Sequence, residues 1–261
     1  MTTGTGGHPT TTGTGGMGGG DTSGSGGSGM TGGSGMTGGT GGAMVDPRCA
    51  AMDGMVSWWH ADNDYDDAVG TNDGNPAGAV SFAPGIENEG FSFNGMTGSF
   101  VDVPNDASLS PATEITLDAW INTSTFGGRI FDKITAFFSD GYLLDMAGDQ
   151  VRMIVGQENL VSNASPPIPA GIFTHVAGVF GPDPGGSGFF KMSIYINGAL
   201  AGEKLTGQAF IPSNGLSMRL GSDSNGGSLF SGVIDEPRIW NRALSASEVQ
   251  TLFWQTTNCA H

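Results

Sequence analysis

Residues 189–205, FFKMSIYINGALAGEKL, carry the pattern that decides what this chain can become. Phe190, Met192, Ile194 and Ile196 recur at every second position and run into Asn197-Gly198. That dipeptide suits a type I′ turn, in which both central residues take positive φ. A period of two puts successive side chains on opposite faces, so the segment reads as a β-hairpin. ITLDAWINTS (115–124) repeats the pattern, with Ile115, Leu117, Ala119 and Ile121 on one face and Thr116, Asp118 and Trp120 on the other. Further strands are expected at 55–59, 90–94, 100–103, 128–133, 141–146, 150–155, 174–180, 216–221 and 232–240, cut by Gly-, Asn-, Asp- and Pro-containing turns. One helix is indicated: Ser245-Ala-Ser-Glu248 makes a capping box ahead of Val249, Leu252 and Phe253. Short antiparallel strands with a single helix imply an all-β, two-sheet sandwich.

The strand pattern stops short of the first 44 residues. These hold 20 of the 47 glycines, no aromatic residue, no Lys or Arg, and one acid, Asp21. They cannot bury enough apolar surface to offset the entropy of ordering. GGSGMT repeats from Gly26 to Thr37 without the large apolar residue that a β-helix turn would put inside. Residues 1–44 therefore read as a disordered linker spanning roughly 35–40 Å, and 45–261 as one domain with a sizeable core.

All nine Lys and Arg fall in that domain against 24 Asp and Glu, a formal charge of −15. Such a surface argues against nucleic acid and anionic membrane as partners. The two cysteines, Cys49 and Cys259, bracket the domain and lack the Cys-x-x-Cys spacing of a redox pair, which suggests a terminal disulfide clasp. It would close a loop of about 210 residues, worth up to roughly 5 kcal/mol in the chain-entropy model, and imply an oxidising compartment. No apolar run reaches membrane-spanning length. The expectation is an exported protein whose signal lies upstream of Met1.

The order GMVSWWHADNDYDDAVGTNDG, FAPGIENEGFSFNG, FVDVPNDASLS, ITLDAWINTS, FTHVAGVF, IYINGALAG, MRLGSDSNGG and FSGVIDEPRIWNRALSASEV resembles the laminin G-like jelly roll of the concanavalin A-like lectin and glucanase superfamily. The resemblance covers nearly all of 49–255. It implies two curved antiparallel sheets in a secreted or surface-attached module, often calcium-binding, that recognises carbohydrate or a matrix protein.

The stretch from Asp62 to Gly74 holds five aspartates. Asp62-x-Asp64-x-Asp66 imitates an EF-hand loop, but Asp67 stands where the required glycine would be and Asp73 where the bidentate Glu would be. The resemblance instead implies a first long loop in which Asp62 and Asp67 match acidic positions, with Asp235 of VIDEP brought close. These three carboxylates would suit a structural Ca²⁺, which takes six to eight oxygens. The alternative is that Asp67 and Asn72 serve only their own turn backbone. A weaker metal pair, Asp140 and Asp223, is implied in two loops that meet at one end of the sandwich, with Asn225 and Gly226 alongside.

Catalysis has less support. Paired carboxylates on one strand face let one acid protonate a leaving oxygen while the other attacks or activates water. Asp235-Glu236 are adjacent, hence expected on opposite faces, and Glu87-x-Glu89 falls in a loop. His8, His60, His175 and His261 form no zinc motif. The five tryptophans default to core, with one of Trp58 and Trp59 a candidate for exposure. The expectation is a non-catalytic, extracytoplasmic module binding carbohydrate or a surface protein. Its alternatives are a polysaccharide-active hydrolase or lyase, or a passive surface protein.

Overall fold

The computed structural model describes residues 1–4, 7, 53–163 and 166–255. Cys49 and Cys259 of the expected clasp, and most of the expected linker, lie outside the described residues. Chain contacts separate Met1–Ala43 from Met44–His261, and the account below concerns the second unit.

Fifteen strands and one α-helix are found among the described residues. The strands are β1 (Met55–Trp58), β2 (Asn75–Ala77), β3 (Ser81–Pro84), β4 (Glu89–Asn94), β5 (Phe100–Val103), β6 (Ile115–Thr123), β7 (Gly128–Lys133) and β8 (Tyr142–Ala147). They continue with β9 (Gln150–Val155), β10 (Glu158–Val161), β11 (Thr174–Pro182), β12 (Phe190–Ile196), β13 (Ala199–Thr206), β14 (Met218–Leu220) and β15 (Ser231–Trp240), followed by helix α1 (Ala246–Gln255). One sheet runs β13-β12-β11-β6-β15-β4-β3, with β1 also paired to β15; the other runs β10-β9-β8-β7-β14-β5-β2. The pairing is antiparallel, and this is the expected jelly-roll sandwich.

The core lies between the sheets. Ile115, Leu117, Ala119 and Ile121 of β6 face Phe131, Leu144, Met153 and Leu220 of the second sheet, all fully buried. Each large apolar side chain so removed from water contributes about 1.5–3 kcal/mol. The β12–β13 turn has the expected chemistry, with Asn197 and Gly198 at φ 50° and 73°. β2, β3 and β10 escape the sequence pattern because they are short edge strands, two of them with a proline, and edges tolerate proline that a central strand does not.

The outward face of β6 is covered as well. Thr116, Asp118 and Trp120 are as buried as the core face. The chain after β15 folds back over the first sheet: Thr116 Oγ1 donates to the Arg242 carbonyl at 2.8 Å and accepts from Leu244 N at 3.0 Å. α1 then lays Val249 and Leu252 against Ala177, Val179, Tyr195 and Trp240 as a second apolar cluster. The capping box forms as read, Ser245 N donating to Glu248 Oε2 at 2.7 Å and Glu248 N to Ser245 Oγ at 3.3 Å.

β15 is the strand on which the candidate site depends. Along one edge it pairs with β6. Along the other it carries two short strands end to end, β4 against Ser231–Ile234 and β1 against Arg238–Trp240. Asp235-Glu236-Pro237 lie at the seam between them, where the β15–β6 register shifts.

Candidate functional site

Glu236 takes φ 52° at this bulge, an uncommon conformation for a residue with a Cβ. The bulge breaks the strict alternation that would have sent Asp235 and Glu236 to opposite faces. Both are buried. Asp235 Oδ2 accepts from Ile86 N at 2.7 Å and Glu87 N at 3.3 Å, and its Oδ1 from Glu236 N at 2.9 Å. Gly85 permits this contact, since a Cβ there would collide with Asp235 Oδ2. From the other side Asp62 clamps the same loop, accepting from Asn88 Nδ2 at 2.9 Å and Glu89 N at 3.1 Å. Glu236 accepts from Trp58 Nε1 and lies 3.1 Å from His60 Nδ1.

The seam thus gathers several ionisable groups in a desolvated place. Burial, followed by the charge of Glu236, pushes Asp235 up to about 8. Burial and then Glu236 push Glu87 up to about 7. Burial works against a charge on His60, but the hydrogen bond and charge of Glu236, with the charge of Asp62, outweigh it and raise its pKa.

Asp67 does not join them. It is buried, its Oδ1 accepting from Trp58 N at 3.0 Å and Val69 N at 3.1 Å and its Oδ2 from Asn72 N at 3.1 Å. Asn72 Nδ2 in turn donates to Ser57 Oγ at 2.8 Å. This is the turn-backbone role that Asx residues play without a metal. Asp62 and Asp235 converge on the 85–89 loop instead, where the groups presented to them are N–H donors, which a cation does not match. Among the described residues no group of three or more His, Cys, Asp or Glu side chains is placed to hold a metal ion. The residues expected to hold Ca²⁺, as placed, do not fit it.

The second expected pair lies where two loops meet. Asp140 accepts from Thr135 N at 2.9 Å and Thr135 Oγ1 at 2.7 Å. Burial works against its charge, yet these bonds and one from Asn214 hold the carboxyl below its ordinary range. Asp223 accepts from Asn225 N at 3.0 Å, Gly227 N at 2.7 Å and Ser228 Oγ at 3.0 Å. Ala136 N donates to Ser224 Oγ at 2.8 Å and ties the two loops together. Each aspartate braces its own loop, and the tip so braced presents Phe137 and Phe138, both exposed.

Trp58 and Trp59 are both buried. Trp254, assigned to the core by default, is 60 % exposed on α1, because its neighbours Leu252 and Phe253 take the positions facing the sheet. His175 has a structural place, fully buried with Nε2 at 2.8 Å from Asp118 Oδ2. Asp118 also receives Arg238 through Nε at 3.1 Å and Nη2 at 2.8 Å, a bidentate pair that fixes both planes.

A recess that the sequence did not announce lies beside α1. Its volume is about 390 Å³, and Val179, Gly181, Lys191, Ser193, Tyr195 and Ala243 are among its lining. A second, of about 340 Å³, adjoins it across Lys191. The residues come from strands and a return segment far apart in the chain, so no local motif marks them.

Comparison with known proteins places this architecture. A laminin G family model of the concanavalin A-like lectin/glucanases superfamily matches residues 95–250. No curated protein matches the sequence. Among solved structures, the binding domain of Paraclostridial Mosquitocidal Protein 1 superposes with a TM-score of 0.62 at 15 % identity, over 77 % of this chain and 52 % of that one. Domain 4 of AbnA, an extracellular arabinanase from Geobacillus stearothermophilus described in complex with arabinotriose, gives 0.58 at 20 % identity, over 76 % and 97 %. The ligand binding domain of botulinum neurotoxin serotype D, described in complex with N-acetylneuraminic acid, gives 0.60 at 15 %, over 77 % and 51 %. The chain thus spans about half the length of the toxin domains it matches and nearly all of the arabinanase domain.

Proposed function

The chain belongs to the concanavalin A-like lectin/glucanases superfamily, and from that premise we propose that residues 45–261 form a non-catalytic carbohydrate-binding module working outside the cytoplasm. What supports the reading above all is the fold shared with a domain that is nearly fully covered and is described with arabinotriose bound. The toxin domains lend less, because half of each has no counterpart here. The formal charge of −15 favours neutral over anionic glycans, which a strongly acidic surface repels. A glycan array probed with the full chain tests the reading: neutral oligosaccharides are the expected hits, and an array with no hit of any class overturns it.

One observation favours the hydrolase alternative. Glu87, held near neutrality beside Glu236, has the pKa that a general acid needs. Against it, the oxygens of Asp235 and Glu236 are committed to backbone N–H groups, Trp58 and His60. Reducing-end release from arabinan or other polysaccharides, abolished by Glu87→Gln, would establish an enzyme; no release is expected. For calcium, an unchanged melting temperature across EDTA and added Ca²⁺ is the outcome that the geometry favours.

A further inference from the structure

The recess beside α1 is built, not incidental. Its floor is the outward face of the β11–β12 ladder, where Val179 pairs with Ser193, Gly181 with Lys191 and Ala177 with Tyr195. Its wall is the return segment 243–246, and Gly181 lets that wall approach: a Cβ there would lie 2.6 Å from the Ala243 methyl. The volume falls within the ~300–1,000 Å³ of small-ligand sites, which combine apolar lining with a few placed polar groups. Here the hydroxyls of Ser193 and Tyr195 and the Lys191 ammonium can donate, and the carboxylates of Glu114 and Glu248 can accept.

The ammonium of Lys191 at this recess is already matched, and so is the carboxylate of Glu248. Lys191 Nζ is 3.3 Å from Glu203 and 3.9 Å from Asp183, and Glu248 is 2.8 Å from Arg242. An anionic ligand would have to displace one of the carboxylates that hold Lys191. A hydroxyl, which both donates and accepts, can join them undisturbed. Lys191 also lines the adjoining recess with Asp183, Glu203 and Lys204, so the two run on from each other across β12.

We propose that the two recesses form one groove that binds a neutral oligosaccharide, with one sugar seated between Tyr195 and Ala243 and the chain continuing past Lys191. The assignment rests on the carbohydrate-binding reading and adds the place where the ligand is held.

The test is calorimetric titration of the full chain with arabinotriose, with the strongest neutral hit from the array, and with 3′-sialyllactose. Lys191→Ala and Tyr195→Phe should weaken neutral binding at least tenfold. Ala246→Phe should abolish it, since the exposed first residue of α1 plugs the mouth without entering the core. Phe137→Ala, at the distant loop tip, should change nothing, and thermal melts establish that all four variants fold. Neutral binding that survives Ala246→Phe overturns the groove while leaving the carbohydrate reading intact. Preference for the sialylated probe overturns the neutral class. Binding to no glycan overturns both.

Discussion

The two outward faces of the sandwich start from the same alternating pattern and end differently. On the first sheet a helix and the segment leading to it roof the face, so Asp118, His175 and Arg238 are sealed beneath. On the second sheet the roof is made of side chains from the sheet itself. Arg152 holds Asp145 through Nε at 3.0 Å and Nη2 at 2.7 Å, Arg129 bridges Asp145 and Asp132, and Arg219 lies opposite both Asp132 and Asp102. Arginine stems cover apolar surface while their heads stay near water. Beneath the dry roof Asp118 alone serves both His175 and Arg238, whereas the arginines of the second sheet spread their pairing along a row over Asp132 and Asp145, which are themselves buried.

The strongest break of this contrast is Asp118→Ala. It leaves Arg238 charged and His175 unpaired under α1, and should cost about 3–5 kcal/mol in urea denaturation. Leu252→Ala, which thins the roof itself, should cost about 2–4 kcal/mol by the same measurement. The buried carboxyl of Asp235 provides a pH test. It ionises near 3.8 in the unfolded chain and near 8 in the folded one, so between these values the folded state binds more protons. Stability therefore falls as pH rises through that window, by up to about 1.4 kcal/mol per pH unit for this group. Glu87 adds a fall in the same direction up to about 7. Asp235→Asn should flatten the decline between pH 7 and 8, and an unaltered slope would count against the seam as its source. The smallest effect belongs to the second sheet: Arg219→Ala, whose partner Asp102 is 3.5 Å away and partly exposed, should cost below about 1 kcal/mol.

Much of this architecture was legible in the chain. The alternation of Ile115 to Ile121, the Asn197-Gly198 turn and the Ser245–Glu248 box are local signals, and each produced the element it announced. What escaped is what distant segments do to one another. Thr116 and Asp118 could be assigned only to the face opposite the apolar one, because nothing near them in sequence tells of a helix arriving 130 residues later. Asp62 and Asp67 suggested shared ligation, yet each answers to its own N–H donors, and a charge count cannot reveal how many donors surround a carboxylate. Glu236 escaped because alternation assumes no bulge. The groove beside Tyr195 needs Gly181, Lys191 and Ala243 at once, three residues that no spacing rule connects.

The end-to-end seating of β4 and β1 on β15 also sets a schedule. β1 closes on residues some 180 positions later in the chain, and β6 and β4 likewise wait for the same late strand. Contacts so remote in sequence slow folding, because loop-closure entropy is spent before any pairing rewards it. During synthesis, the first sheet is left with open strand edges until Ser231–Trp240 emerges from the ribosome. For that interval the growing chain is exposed to the edge-to-edge association that strands without neighbours invite, and its yield should depend on how soon Ser231–Trp240 follows the strands that wait for it.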